Sequence, residues 1–392
     1  MTDVLPQAGW TRRESLQHLV VALGAGNMRY VGGAVRDTLL GLPVRDVDCA
    51  TTLLPDQVVE ACAAAGIRTV PTGIEHGTVT AILPDGPVEV TTLRRDVSTD
   101  GRRATVAFAE DWREDASRRD FTLNALYAHP QTLELADYFG GLEDLRGRRV
   151  RFIGDARQRI REDHLRILRY FRFQARFGDA PDEEALAACR DLAATLKGLS
   201  RERVAAELLA LFALPEPQDT VALMLTQGVL PVILPEAGRR QVEALSALVR
   251  WERDQDAYPD PIRRLAALLP AVTEIAENVA ARLRLSKAQR ARLVCAAART
   301  EADRARPRAL AYQEGMECAR DRLLLLGAPV TELDDWPVPN FPLKGRDVIA
   351  AGIEPGPLVA RTLRAIENEW VAEGFPGRER AEEMLRNTVR GS

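Results

Sequence analysis

The chain has 392 residues, enough for a sizeable core spread over two to four domains, and its 46% apolar and 28% charged composition is ordinary for a water-soluble protein. No apolar run approaches the roughly 18 residues a membrane span needs, and the opening MTDVLPQAGWTRRES lacks the charged-then-apolar layout of a secretory leader, so none is expected. A net charge of −4 and a pI near 5.8 would argue against a nucleic-acid partner if charge were evenly spread, and it is not.

In chain order, residues 11 to 25 carry a helical pattern, and MRYVGG reads as a strand stopped by glycine. RDVDCAT and GPVEVTTLR alternate polar and apolar positions as strands do, and between them PDQVVEACAAAG has proline in a first helical turn and glycine just past the end. This mixed unit runs to FGGLEDL, near residue 145. Beyond it Leu165, Leu168 and Phe171, and later Leu208, Leu209 and Phe212, keep helical spacing, and no convincing strand follows. Proline clusters near 215–217, 231–235, 259–261 and 337–342 divide a C-terminal half that reads as all helix, so the expected fold class is α+β. The five cysteines (Cys49, Cys62, Cys189, Cys295, Cys318) are scattered, with no CxxC pair, which predicts neither a zinc site nor a disulfide framework and points to a reduced cytoplasm.

Charge is concentrated in one place. Residues 146 to 176 hold eleven arginines against three acids, Asp155, Glu162 and Asp163, a pattern that predicts an anion-binding surface. Upstream, Asp46 and Asp48 are two residues apart on a predicted strand and so share a face. Two carboxylates that close call for a hard cation such as Mg²⁺. Glu89, on another predicted strand, can bring a third carboxylate, and three acids fit a two-metal centre that activates an attacking oxygen and steadies a leaving phosphate. Gly32 and Gly33 sit at a strand-to-helix turn, where bare backbone N–H groups can approach a phosphate, and Arg36 follows one turn later. The third glycine of the dinucleotide fingerprint is missing, so a nucleoside triphosphate beside metal ions is the better reading.

Seven stretches in order, GGAVRD, RDVDCAT, VEVTTLR, DGRR, SRRDFTLNAL, DYFGGLEDL and REDHLRILRYFRF, resemble the motif series of the bacterial CCA-adding and poly(A) polymerase family, class II tRNA nucleotidyltransferases within the DNA polymerase beta superfamily. The resemblance covers about residues 28 to 210. It implies a nucleotidyltransferase head over 1–145, a helical neck with a nucleotide-reading motif over 146–210, a helical body over 211–330 and a helical, tRNA-binding tail over 331–392. It further implies transfer of CMP, CMP and AMP from CTP and ATP to the tRNA 3′ end, with two Mg²⁺ on Asp46 and Asp48 and Glu89 as a third acid, in the cytoplasm and with no membrane or protein partner. Arg119, Asp120 and Asn124 in RRDFTLNA are matched to the segment that holds ribose and phosphates.

Asp163 and Arg166 in REDHLR, read as helical neighbours three apart, are matched to the family's base-reading pair, with Arg169 and Arg172 continuing the ridge. The chemistry is coherent. Cytosine and adenine both present an amino donor beside a ring-nitrogen acceptor, whereas uracil and guanine reverse that order, so a carboxylate beside a guanidinium takes the first two and rejects the others. Glu202 and Glu207 in LSRERVAAEL are expected to brace the reading helix, Asp37 to orient either backbone or Arg36, and His164 to be exposed. His76 reads as structural, and Lys344, Gly345 and Gly356 are candidate backbone-phosphate contacts. The stretch STDGRRATVAF keeps the element that CC-only enzymes lack, with Ser98 and Ala104 where tyrosine and proline are common, which favours full CCA addition. CC-only, A-only and poly(A) addition, and a non-catalytic tRNA-binding protein, stay open as alternatives.

Overall fold

The structure is a computed structural model that describes residues 4–74, 77–100, 103–109 and 111–390; His76, Gly101 and Arg102 lie outside them. The chain forms two compact units, Met1–Ile233 and Leu234–Ser392. No helix among the described residues is long and apolar enough to cross a membrane.

The first unit contains the strands β1 (Met28–Val31), β2 (Val47–Thr51), β3 (Arg68–Gly73), β4 (Thr78–Leu83), β5 (Gly86–Thr92), β6 (Arg94–Asp100), β7 (Arg103–Phe108), β8 (Leu126–Ala128) and β9 (Leu135–Asp137). Its helices include α1 (Glu14–Leu23), α2 (Gly33–Leu39), α3 (Pro55–Ala64), α4 (Trp112–Ser117), α5 (Gly141–Arg146), α6 (Ala156–Glu162), α7 (Arg166–Phe177), α8 (Glu183–Asp191) and α9 (Arg201–Phe212). Seven strands make one mixed sheet in the order β3-β4-β5-β2-β1-β8-β9, while β6 and β7 pair separately and hold residues 98–100 and 103–108 of the STDGRRATVAF stretch. The pair β2–β5 is parallel and the remaining pairs of the large sheet are antiparallel.

Strand period sets up the site. On β2, Val47 and Cys49 are buried while Asp48 is open, and on β5, Val88 and Val90 are buried while Glu89 is open. Parallel pairing puts Asp48 directly beside Glu89. Asp46, two residues before Asp48, is open as well. Gly32 enters α2 with φ +69°, where a side chain is strained, and a Cβ there would lie 3.6 Å from the Asn124 carbonyl oxygen.

Helices α4, α6 and α8 start on side-chain caps. Asp111 accepts from Arg113 N at 3.0 Å, Asp155 from Gln158 N at 2.7 Å and Asp182 from Ala185 N at 3.0 Å. In α7 one face, including Ile167, Leu168, Tyr170, Phe171 and Phe173, is buried, which leaves Arg166, Arg169, Arg172 and Arg176 along its other side. Helix α9 packs against α7.

The second unit is helical among its described residues, as the loss of strand pattern predicted. Trp370, Ile366, Met384 and Val348 centre its last cluster. Lys344 and Gly356 stand at the starts of the helices Gly345–Ala350 and Pro357–Ala372. The cysteine reading needs correction. Cys295, in the helix Lys287–Ala297, and Cys318, in Met316–Leu325, form a disulfide with Cα atoms 6.0 Å apart. Their 23-residue separation gives no sequence signal, because the contact is made by helix packing.

Candidate active site

A cavity of about 740 Å³ opens in the first unit, lined by the Gly32–Gly33 turn, Arg36, both aspartates of the DVD stretch, the Arg118–Asp120 segment with Asn124, the Asp163–Arg166 joint, Arg169, Arg172, Phe173 and Arg203. It therefore gathers every residue matched to metal or nucleotide binding in the sequence except Glu89, which stands one strand away. Burial raises the Asp48 carboxyl above its ordinary range, and Glu89 and Asp46 push it further, while Arg119 opposes them. Like charges crowded this way, on hard oxygen donors, fit a divalent cation such as Mg²⁺, which when bound would offset both the burial and the repulsion that raise Asp48.

Next to the acids the arginines are held by specific partners. Asp120 accepts from Arg169 Nε and Nη2 at 2.8 and 2.6 Å, from Asn124 Nδ2 at 2.9 Å and from Phe121 N at 2.8 Å. Burial pushes the Asp120 carboxyl up, but Arg169, Asn124 and the Phe121 amide outweigh it and the net direction is down. These four bonds fill the acceptor capacity of a carboxylate. Arg36, expected to hold phosphate, is 5% exposed, and its guanidinium donates to Asp37 Oδ1 at 2.7 Å and to Asn124 Oδ1 while lying over Phe177 at 4.3 Å. Burial pulls its pKa down. Its observed contacts are those of a scaffold beneath the Gly33 turn. Asp37 orients Arg36 as anticipated and also takes Arg176 at 3.1 Å.

The expectation of a continuous reading helix is overturned. Helix α6 ends at Glu162 and α7 begins at Arg166, with Asp163 extended between them at φ −148° and ψ 105°. Asp163 Oδ1 accepts from Leu165 N at 3.1 Å, a local bond that competes with the helical ladder and breaks it here. Asp163 and Arg166 nevertheless both face the cavity. They do not pair with each other: Asp163 Oδ2 accepts from Arg203 Nη2 at 2.7 Å, and Arg166 donates to Glu162 Oε2 at 2.7 Å and to the Arg159 and Arg118 carbonyls at 2.9 and 3.2 Å. Glu207 holds Arg172 at 2.6 Å and Arg169 at 3.6 Å, the bracing read from its motif, whereas Glu202 takes the Ser200 hydroxyl at the start of α9. His164 is half-buried, its Nδ1 enclosed without a hydrogen-bond partner among the described residues, and is not the exposed residue expected.

The arginine block also reads differently once folded. Its local excess of positive charge is answered by acids from elsewhere: Arg148 pairs with Asp179, Arg149 and Arg151 with Asp144, Arg157 with Asp191, Arg169 with Asp120, Arg172 with Glu207 and Arg176 with Asp37. Of the block, Arg166, Arg169 and Arg172 line the cavity. Sequence reasoning missed Arg203, which lies 40 residues from Asp163 in the chain; its i,i+4 spacing to Glu207 on α9 is the signal that puts both on one face toward α7.

A mixed sheet that presents adjacent carboxylates to a cavity walled by a glycine turn and arginines defines a nucleotidyltransferase head. The Poly A polymerase head domain family matches residues 28–151, and the family described as "Probable RNA and SrmB- binding site of polymerase A" matches 180–239. The human protein CCA tRNA nucleotidyltransferase 1, mitochondrial, is 35% identical over 372 residues, covering 89% of this chain and 83% of that one. A CCA-adding enzyme of Levilactobacillus brevis is 32% identical over 375 residues, 88% of this chain and 90% of its own. The crystal structure of the Bacillus stearothermophilus CCA-adding enzyme in complex with CTP superposes with a TM-score of 0.77 at 27% identity, covering 97% of this chain and 98% of that one. The chain belongs to the CCA tRNA nucleotidyltransferase family and is a tRNA nucleotidyltransferase, as the seven motifs implied.

Proposed function

We propose that this cavity adds CMP, CMP and then AMP to the 3′ end of tRNA without a nucleic-acid template. The carrying observation is one cavity lined both by Asp46 and Asp48 and by Asp163 and Arg166, the pair we read as selecting the base. In each cycle the terminal 3′-hydroxyl oxygen bonds to the α-phosphorus of CTP or ATP, the bond to the bridging oxygen breaks, and pyrophosphate leaves. Asp46 and Asp48 would hold two Mg²⁺, with Glu89 as third acid, and the ions when bound would acidify the attacking hydroxyl and neutralise the departing phosphates.

The chain's own residues then have distinct tasks. The Gly32–Gly33 turn and Arg119 bind the triphosphate. Asn124, with one N–H still free after its bonds to Asp120 and Arg36, meets the ribose. Asp120, its acceptors filled, acts by holding Asn124 and Arg169. Asp163 keeps a lone pair on each oxygen for the amino group of cytosine or adenine, and Arg166 keeps Nε–H and one Nη2–H for the ring nitrogen. Arg172 supports this wall. The helical neck, body and tail of the four-part division give the tRNA its surface, and the cytoplasm is its compartment. The test uses transcripts ending before CCA, after C and after CC, each with CTP, ATP or both. Extension of all three to the CCA end is expected, with Asp46→Ala at background; stopping after CC, adding A alone, or an active Asp46→Ala defeats the reading.

A further inference from the structure

Arg118 and Arg119 are adjacent in the chain, and both turn to the same carboxylate. Asp115, on α4 and 1% exposed, accepts from Arg118 Nε at 2.8 Å and Nη2 at 2.7 Å through Oδ1, and from Arg119 Nη2 at 3.2 Å through Oδ2. The Tyr127 hydroxyl on β8, wholly buried, donates to Asp115 Oδ2 at 2.7 Å and accepts from Arg119 Nε at 3.1 Å. An arginine presents a rigid planar fork, so fixing Nε and Nη2 fixes where Nη1 points. It points at the glycine turn: a Cβ built on Gly32 would come within 3.7 Å of Arg119 Nη1. Arg119 also lines the same cavity as Asp46 and Asp48. The near edge of the fork therefore belongs to Tyr127 and Asp115, and the far edge to the space between the phosphate turn and the acids.

Nothing in the reaction requires a buried tyrosine, and its ring is already packed, edge to face, against Trp112 at 5.9 Å and Tyr138 at 6.0 Å. Its hydroxyl, in contrast, bonds among the described residues to the arginine and to the arginine's counter-ion alone. The segment is clamped from the other side as well, because Arg159 Nη1 donates to the Ser117 carbonyl at 3.1 Å and Arg166 Nη2 to the Arg118 carbonyl at 3.2 Å. Backbone and side chain of Arg119 are thus restrained independently.

We infer that Tyr127 and Asp115 are positioning residues for nucleotide binding, holding Arg119 in the one orientation that meets the triphosphate of either CTP or ATP. The inference rests on the reading of Arg119 as a triphosphate ligand. It predicts an effect on nucleotide without an effect on base choice, since the contact is to the part the two nucleotides share. Replacing Tyr127 by phenylalanine keeps the ring and removes the hydroxyl. In the full chain, Tyr127→Phe should raise the KM for CTP and for ATP together, by roughly tenfold as expected for one charge-assisted hydrogen bond. The inhibition constant of pyrophosphate should rise by the same factor, while the KM for tRNA stays within about twofold. Arg119→Ala should raise the nucleotide KM at least as far, and the double variant no further than Arg119→Ala alone, because both changes remove one interaction. Asp115→Asn, which keeps an acceptor but loses the charge, is a second route to the same readout if the phenylalanine variant melts below assay temperature. A folded Tyr127→Phe with unchanged nucleotide KM and pyrophosphate inhibition, beside an impaired Arg119→Ala, overturns the positioning role. An unimpaired Arg119→Ala overturns the triphosphate reading instead.

Discussion

Asp163→Asn separates base reading from structure. Asparagine keeps the Oδ1 acceptor that caps Leu165 N, so the joint between α6 and α7 survives, but it replaces Oδ2 with an amide donor. What the fold loses is the pair with Arg203, whose side chains are 28% and 37% exposed. Such a pair contributes about 0–1 kcal/mol, and for a unit of this size 1 kcal/mol moves Tm by about 2–4 °C. What selection loses is larger: a bidentate match to a base edge is worth about 1–3 kcal/mol, roughly 5- to 150-fold in kcat/KM. The expected variant therefore melts within about 4 °C of the parent while its preference for CTP over UTP, and for ATP over GTP, falls by that factor. Single-nucleotide extension of a tRNA transcript with each of the four triphosphates, beside a thermal melt, reads both. Unchanged preference in a variant that folds normally would mean that Asp163 never meets the base. A collapse in Tm with preference intact would make it a joint residue and nothing more.

Two other expectations follow from charge and covalent linkage. The Asp120 carboxyl is held below its ordinary value of 3.8, so its contribution is fully present above that value and is lost as pH falls through the lowered folded pKa. Acid unfolding of Asp120→Asn should accordingly show a shallower loss of stability across that window than the parent, and identical slopes would refute the Arg169–Asp120 assignment. The Cys295–Cys318 link closes a loop with a sequence separation of 23, for which chain entropy gives about 3 kcal/mol. Reductant should lower the melting temperature of the parent but not of Cys318→Ser; equal melts of the parent with and without reductant, or free thiols at both positions, would remove the link.

The head was legible because its signals are local. Strand alternation puts Asp46, Asp48 and Glu89 on the face opposite Val47, Cys49, Val88 and Val90, and the glycine turn is confined to two residues. Register then follows from which face is buried, which is why Asp48 and Glu89 could be brought together before any coordinates. The helix Pro55–Ala64 was legible from its proline and the glycine beyond it.

Partner choice among charges was not. Helical spacing made Asp163 and Arg166 neighbours on one face, yet a single side-chain bond to the Leu165 amide broke the helix and sent each group to a different partner. The arginine-rich stretch looked like open positive surface because its counter-ions, Asp37, Asp120, Asp144 and Glu207, lie outside it in the chain. The two bridging cysteines carried no spacing motif for the same reason. Periodicity and turn chemistry act over a few residues and are written into the chain, so the sequence by itself determined the elements, the carboxylate face and the family. Which acid meets which arginine depends on distances set by packing between segments tens of residues apart, so only the tertiary structure decided how the charges around the cavity are paired.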